Sequence, residues 1–304
     1  MAHDHQHGPA TYNRAFAIGV ALNLGFVVAE AIFGVLAHSL ALVADAGHNL
    51  SDVLGLLLAW GAAMLALRWP TRRRTYGWRR STILAAVANA VVLLVALAII
   101  VVEAIRRFGN PEPVAEKTVI AVALVGIAVN GATAWLFASG RKSDLNIRGA
   151  FMHMAADAAV SAGVVIAALV ILATGWLWLD PAVSLVIAAV ILFGTWGLLR
   201  DSLNLALDAV PDEIDPAAVR AYLLGLPGIV GVHDLHIWAM STTETALTAH
   251  LVTAQTRRPD DTDALLARVK TDLHDRFGIE HTTLQIEHDD LCVGCPLEPA
   301  AARV

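Results

Sequence analysis

Six apolar runs, at about 15–37, 40–67, 81–106, 117–139, 147–174 and 178–200, restrict what the first two-thirds of this chain can fold into. Each reaches the ~20 residues a helix needs to cross a ~30 Å hydrocarbon core. In hydrocarbon, every backbone N–H and C=O must find its partner inside the protein, so runs of this length are expected as helices. Of the 304 residues 57% are hydrophobic and only 16% are charged, with a mean hydropathy of +0.62. That balance is too oily for one soluble domain and belongs to a polytopic membrane protein. The first run exceeds the ~7–15-residue apolar region of a signal peptide. Its flank is His-rich, with Arg14 as its only basic residue, so it reads as a retained span.

Charge in the connections sets the direction. Residues 68–80 hold Arg68, Arg72, Arg73, Arg74, Arg79 and Arg80 without an acid, and 140–148 hold Arg141, Lys142 and Arg148 against Asp144 alone. The alternate connections are poorer in Lys and Arg: 38–39 has none, 175–180 has only Asp180, and 106–117 offsets its bases with Glu112 and Glu116. Basic loops stay on the cytoplasmic side. Both tails are then cytoplasmic, in a cell (inner) membrane protein. Trp176 and Trp178 suit the membrane–water interface.

Inside this apolar half one short word occurs twice: His48-Asn-Leu-Ser-Asp52 and His153-Met-Ala-Ala-Asp157. Each is H-x-x-x-D, and residues four apart share a helix face. A charge at bilayer depth costs roughly 2.5–3.5 kcal/mol on the mildest scale, so ionisable residues there point to function. Two such helices face to face would offer two imidazole nitrogens and two carboxylate oxygens, a tetrahedral set suited to Zn²⁺ or a similar divalent ion. The bland alternative is a hydrogen-bonded pair within each helix, worth only ~0.6 kcal/mol, and it does not explain the repeat. Asp45, three residues before His48, neighbours the same face; it reads as a partner orienting a ligating His, a proton relay, or a span-end charge. For Asn23, Glu30, Asn89, Glu103 and Asn130, interhelical hydrogen bonding or an interface-level charge is the favoured reading.

After Pro211 the chain reads as soluble protein. Asp215-Pro216 starts a short helix over 215–226, with an Asp N-cap and Pro at its first position. Residues 231–238 and 246–252 alternate as strands, 260–276 form an amphipathic helix, and 282–287 a third strand. The α-β-β-α-β order predicts a small α+β domain resembling a ferredoxin-like unit with its first strand missing. The expected organisation is a His-containing tail (1–14), a six-helix membrane domain (15–206), a cytoplasmic α+β domain (207–291) and a C-terminal tail (292–304). His3, His5 and His7 form either a weak metal-capturing tract or a solvated tail. Cys292-Val-Gly-Cys295 has ligand spacing but is half of a four-cysteine site; a redox dithiol is the weaker alternative. The Arg-rich 68–80 connection joins two apolar spans and reads as a signal of membrane direction, so nucleic acid is not an expected partner.

The two intramembrane words, the six spans and the trailing αββαβ unit resemble the cation diffusion facilitator family. So do the stretches Leu40-Ala-Leu-Val-Ala-Asp45-Ala-Gly-His48, Gly149-Ala-Phe-Met-His153 and His233-Asp-Leu-His-Ile-Trp238. The resemblance covers about residues 12–290 and is strongest to the zinc-exporting branch, which has His in both words. It implies a homodimer in the lipid bilayer that exchanges cytosolic Zn²⁺ for protons, with no organic cofactor and no enzymatic activity; Cd²⁺ and Co²⁺ fit the same ligands. It implies further metal ligands in the cytoplasmic domain among His233, His250, His281 and Glu287, with Cys292 and Cys295. In some relatives a His-containing N-terminal tail meets such a Cys pair across the dimer. Two departures stand out: Ser139–Asp144 lacks the His-rich loop of many relatives, and the Arg-rich 68–80 connection offers no metal ligand. The rival classes are an intramembrane zinc metallohydrolase, which wants a word such as H-E-x-x-H, and a membrane metal sensor, which wants an effector domain. The sequence carries neither.

Overall fold

The computed structural model describes residues 14–137, 145–253 and 259–287, with side chains from Leu24 onward except those of 52, 56, 136–137, 145–150 and 259–260. Six long helices come first: α1 (Arg14–Leu36), α2 (Leu40–Ala66), α3 (Ser81–Gly109), α4 (Glu116–Phe137), α5 (Leu145–Thr174) and α6 (Leu179–Ala206). Then follow α7 (Pro216–Leu224), β1 (Ile229–Ala239), β2 (Thr245–Thr253), α8 (Pro259–Phe277) and β3 (His281–Glu287). Helices α2 to α6 are long and apolar enough to cross a bilayer, and the described apolar part of α1 is Leu24–Leu36. Their outward faces are apolar: Phe193 is 82% exposed and Ile99 66%. Such a surface is stable in lipid and would not be in water.

The chain forms two compact units. One holds residues through Leu57 with Asn89–Trp196; the other holds Leu58–Ala88 with residues from Gly197 on. In the first unit α4 packs along α5 and α1 along α4. Its core is rich in alanine, including Ala41, Ala44, Ala123, Ala168 and Ala188, with Leu42, Leu97 and Val164 between them. Small residues let helix backbones approach where the hydrophobic effect supplies no drive. At Gly126 the approach is close enough that a Cβ would lie 2.7 Å from the Phe26 ring.

The N-terminus of α2 is held by a carboxylate from α6. Asp180 is buried, takes the Ser39 hydroxyl at 2.5 Å, and accepts the backbone N–H of Leu40 at 2.8 Å and of Ala41 at 3.4 Å. Ser39 in turn accepts the N–H of Leu42 at 3.3 Å, as an N-cap does. An anion at the positive end of a helix is also favoured electrostatically. The turn before α2 is tied again by Arg107, which donates to the His38 carbonyl at 2.5 Å and pairs with Glu103 and Glu112 at 3.3 and 3.4 Å.

In the second unit the sheet runs β1-β2-β3, with β1 antiparallel to β2 and β2 parallel to β3. A parallel pair needs a crossover, and α8 supplies it. Leu265, Val269 and Leu273, four residues apart on α8, join Val219 and Leu223 of α7 and Val232, Leu247 and Leu251 of the sheet in one core. Asp215 caps α7 by accepting the Ala217 N–H at 2.9 Å, with Pro216 at the first helical position. Tyr222 of α7 donates to Asp272 of α8 at 2.6 Å; burial, then that carboxylate, push its phenol up to about 12.

Strand β1 departs from simple alternation. The register with β2 shifts between His233 and His236, and Asp234 there has a φ of 51°. This is a β-bulge, and Asp tolerates the left-handed conformation it needs better than most residues. Alternation over 231–238 therefore breaks where the ligand-type residues are densest.

Candidate metal centres

Helices α2 and α5 bring His48 and His153 together. The rings of His48 and His153 face each other edge-on, with centroids 6.1 Å apart and planes at 77°. On α5, His153 Nε2 lies 3.6 Å from Asp157 Oδ2, as the four-residue spacing requires. The Asp157 side chain is 5% exposed and that of His153 43%, so the site is buried on its carboxylate side and open on its imidazole side. Asp52 occupies the matching place on α2, one turn after His48, but its side chain lies outside the described residues.

Asp45 is 1% exposed and accepts the Ser161 hydroxyl of α5 at 3.0 Å. It lies within electrostatic reach of His48, Asp157 and Glu30. Glu30 is fully buried on α1, where Asn49 of α2 donates to it at 3.5 Å, the interhelical hydrogen bond expected of it. Its nearness to Asp45, and the Ser161 hydroxyl that Asp45 accepts, carry no spacing signal in the sequence. Glu103 pairs with Arg106 and Arg107 at the end of α3.

A second cluster forms on the cytoplasmic sheet. One ligand atom from each of His233, His250 and Glu287 lies within 4.8 Å of the others. His233 and His250 are direct cross-strand partners, their ring centroids 5.0 Å apart. Glu287, the last residue of β3, reaches both: Oε2 is 3.0 Å from His233 Nε2, and Oε1 is 3.1 Å from His250 Nδ1. The Gln285 amide donates to Oε1 at 2.8 Å, and Thr253 donates to the Glu287 carbonyl at 3.1 Å. The bulge turns Asp234 toward the same group, 3.0 Å from His236 Nε2 and 3.8 Å from His250 Nε2. Two imidazoles and a carboxylate make a three-ligand set for zinc, and Asp234 is placed to fix an imidazole orientation.

His281 does not join them. It begins β3 opposite Ala246, exposed, with its ring edge-on to Tyr76 at 5.7 Å. Six steps along the strand, roughly 20 Å at ~3.3 Å each, separate it from Glu287. Cys292, Cys295, His3, His5 and His7 lie outside the described residues.

Comparison with known proteins covers both halves of the chain. Residues 16–205 match the cation efflux transmembrane domain, and 211–289 the cytoplasmic domain of cation efflux proteins. The zinc transporter ZitB of Escherichia coli is 39% identical over 295 residues, 95% of this chain and 93% of the relative. The metal cation efflux system protein CzcD of Cupriavidus metallidurans is 38% identical over 94% of this chain and 89% of its own. A cadmium, cobalt and zinc/H(+)-K(+) antiporter of Bacillus velezensis is 36% identical over 94% and 92%. With apolar spanning helices, an αββαβ cytoplasmic domain and matches along nearly its whole length, the chain is a membrane protein and belongs to the cation efflux, or cation diffusion facilitator, family.

Proposed function

We propose that this protein is a secondary active exporter that moves Zn²⁺, and with it Cd²⁺ or Co²⁺, out of the cytoplasm in exchange for protons. The observation that carries the reading is the meeting of two imidazoles from different apolar helices, 6.1 Å apart, with Asp157 beside one of them. Zn²⁺ is the transported substrate, held by His48, Asp52, His153 and Asp157, with Asp45 orienting the site from α2. Names of relatives support the class: one is a zinc transporter and another a cadmium, cobalt and zinc antiporter.

The mechanism follows from the ligand chemistry. Zinc takes neutral imidazole and ionised carboxylate, so loading releases protons and protonation expels the ion. A site that faces the cytoplasm and the outside in turn exchanges one for the other. Rocking of the helix bundle supplies that alternation in other secondary transporters. The two nitrogen and two oxygen donors suit zinc, while affinity order alone does not separate it from cobalt or cadmium. His233, His250 and Glu287 form a regulatory metal site in a cytoplasmic domain that joins two copies as a homodimer. Metal there favours one conformation of the pair, a population shift. The Cys292/Cys295 pair and the His3-His5-His7 tail add ligands to that side. Both termini face the cytoplasm, and the protein sits in the inner membrane.

The test is flux in proteoliposomes of the purified protein. Zinc should accumulate against its gradient when a pH gradient is imposed, and a trapped pH dye should show protons moving the opposite way. Uphill zinc movement that survives a collapsed proton gradient ends the antiport reading. Metal binding without any flux favours a sensor instead.

A further inference from the structure

We propose that the connection between α2 and α3 binds the headgroup of an anionic phospholipid. Its six arginines are not equivalent. Arg79 donates to Glu244 at 2.5 Å, Arg80 is paired with Asp208, and the Arg74 guanidinium lies 3.8 Å over the Trp78 ring. Arg68, Arg72 and Arg73 are exposed and make no ion pair among the described residues. The backbone holds two of them together. Thr71 and Arg74 exchange hydrogen bonds of 2.9 and 3.1 Å, and the Thr71 hydroxyl takes the Arg74 N–H at 3.1 Å. Arg72 and Arg73 therefore stand side by side at the tip of a closed turn. Adjacent like charges within a Debye length repel, and an anion between them removes that repulsion.

Topogenic positive charge alone does not account for what lies beside these arginines. Trp60 and Met64 are exposed at helical spacing along the last turns of α2, Leu67 is exposed just past its end, and Trp69 beyond them is 89% exposed. This is an apolar stripe that ends at guanidinium groups, the profile of an acyl chain leading to a headgroup. Next to it is a cavity of about 570 Å³ whose lining includes Arg68, Trp69, Thr82 and Ser241, with the Glu244 carboxylate there neutralised by Arg79. Guanidinium forks bind phosphate oxygens bidentately, and hydroxyls suit the glycerol of phosphatidylglycerol. Phosphatidylcholine brings its own cation to a site that already has three unneutralised ones. Free phosphate would leave the apolar stripe unused.

The experiment places the full-length protein in phosphatidylcholine vesicles containing brominated phosphatidylglycerol or brominated phosphatidylcholine and reads tryptophan quenching. Subtracting the Trp69→Phe signal isolates Trp69. The Trp69 component should be quenched preferentially by the anionic lipid. Arg68→Gln, Arg72→Gln and Arg73→Gln should each lower that preference roughly fivefold at low salt. The triple Arg→Lys variant should keep only part of it, since the charge remains while the bidentate fork is lost. Equal quenching by the two lipids in the unmodified protein, or a preference that survives the triple Gln variant, overturns the proposal. So does a preference indifferent to added salt, which needs no variant to fold. Inorganic phosphate that displaces the brominated lipid would assign the site to the free ion instead. No zinc flux enters the measurement, so its failure and that of the transport reading are distinct.

Discussion

In the apolar helices the ligand-type side chains come as pairs four residues apart on a single element; on the cytoplasmic sheet they come singly from three strands. His153 and Asp157 need only one helix to meet, and one packing contact between α2 and α5 brings His48 to them. His233, His250 and Glu287 meet only after an antiparallel pairing, a parallel pairing and a bulge are in place. The first arrangement resists local error, because helical spacing fixes each pair. The second depends on register, and a slip of one residue would turn a ligand to the other face.

The largest effect that tests this contrast is at the intramembrane pair. Asp157→Ala removes a buried carboxylate beside His153 and should reduce zinc uptake by proteoliposomes to background, with the protein still folded. Near-normal uptake would take Asp157 out of the transport path, and with it the helical-pair account of the site.

A smaller loss is expected at the device that holds α2 in place. Asp180→Ala strands the Ser39 hydroxyl and the N–H groups of Leu40 and Ala41 at a buried helix end. Leaving a buried donor unpaired costs about 1–3 kcal/mol for each. Thermal unfolding of the detergent-solubilised protein should shift down accordingly, with Asp180→Asn falling between the variant and the unmodified protein. An unchanged melting profile would mean that α2 is held by packing alone.

These two sites also mark what the sequence discloses. The H-x-x-x-D words, the six apolar spans and the αββαβ order follow from local run length and periodicity, so each could be read without the fold; the span ends were less legible, since α6 runs on to Ala206 past an apolar run that ends at about 200. The Asp215 cap and Pro216 followed in the same way from residue chemistry. Asp180 did not, because it is 140 residues from the N–H groups it caps and looked like a lone loop charge. The break in β1 was equally hidden: His233 to Trp238 alternates on paper, and only the pairing with β2 reveals Asp234 in a left-handed conformation. His281 carried the same ligand chemistry as His233, and strand length alone separates it from the cluster. Glu30 shows the limit from the other side, since nothing in its neighbourhood of apolar residues says which helix will face it.

The smallest effect is also the most direct test of the sheet's part in the comparison. In an Asp157→Ala background, zinc titration of the full-length protein reports mainly the cytoplasmic ligands. Glu287→Gln replaces a carboxylate that touches both His233 and His250, at 3.0 and 3.1 Å, with a neutral amide. Affinity should fall by at least roughly 10–100-fold, since losing even a group that only orients metal-binding histidines costs that much. His281→Ala, at the other end of β3, should leave affinity within about twofold, because its ring touches Tyr76 and not the cluster. In a background with Asp157 intact, Glu287→Gln should retain zinc flux at a reduced rate, as expected of a regulatory site rather than a transport site. If His281→Ala weakens zinc binding as much as Glu287→Gln, the ligand set is assembled by something other than this register. Complete loss of flux in Glu287→Gln would instead make the sheet cluster part of the transport path and erase the distinction between the two centres.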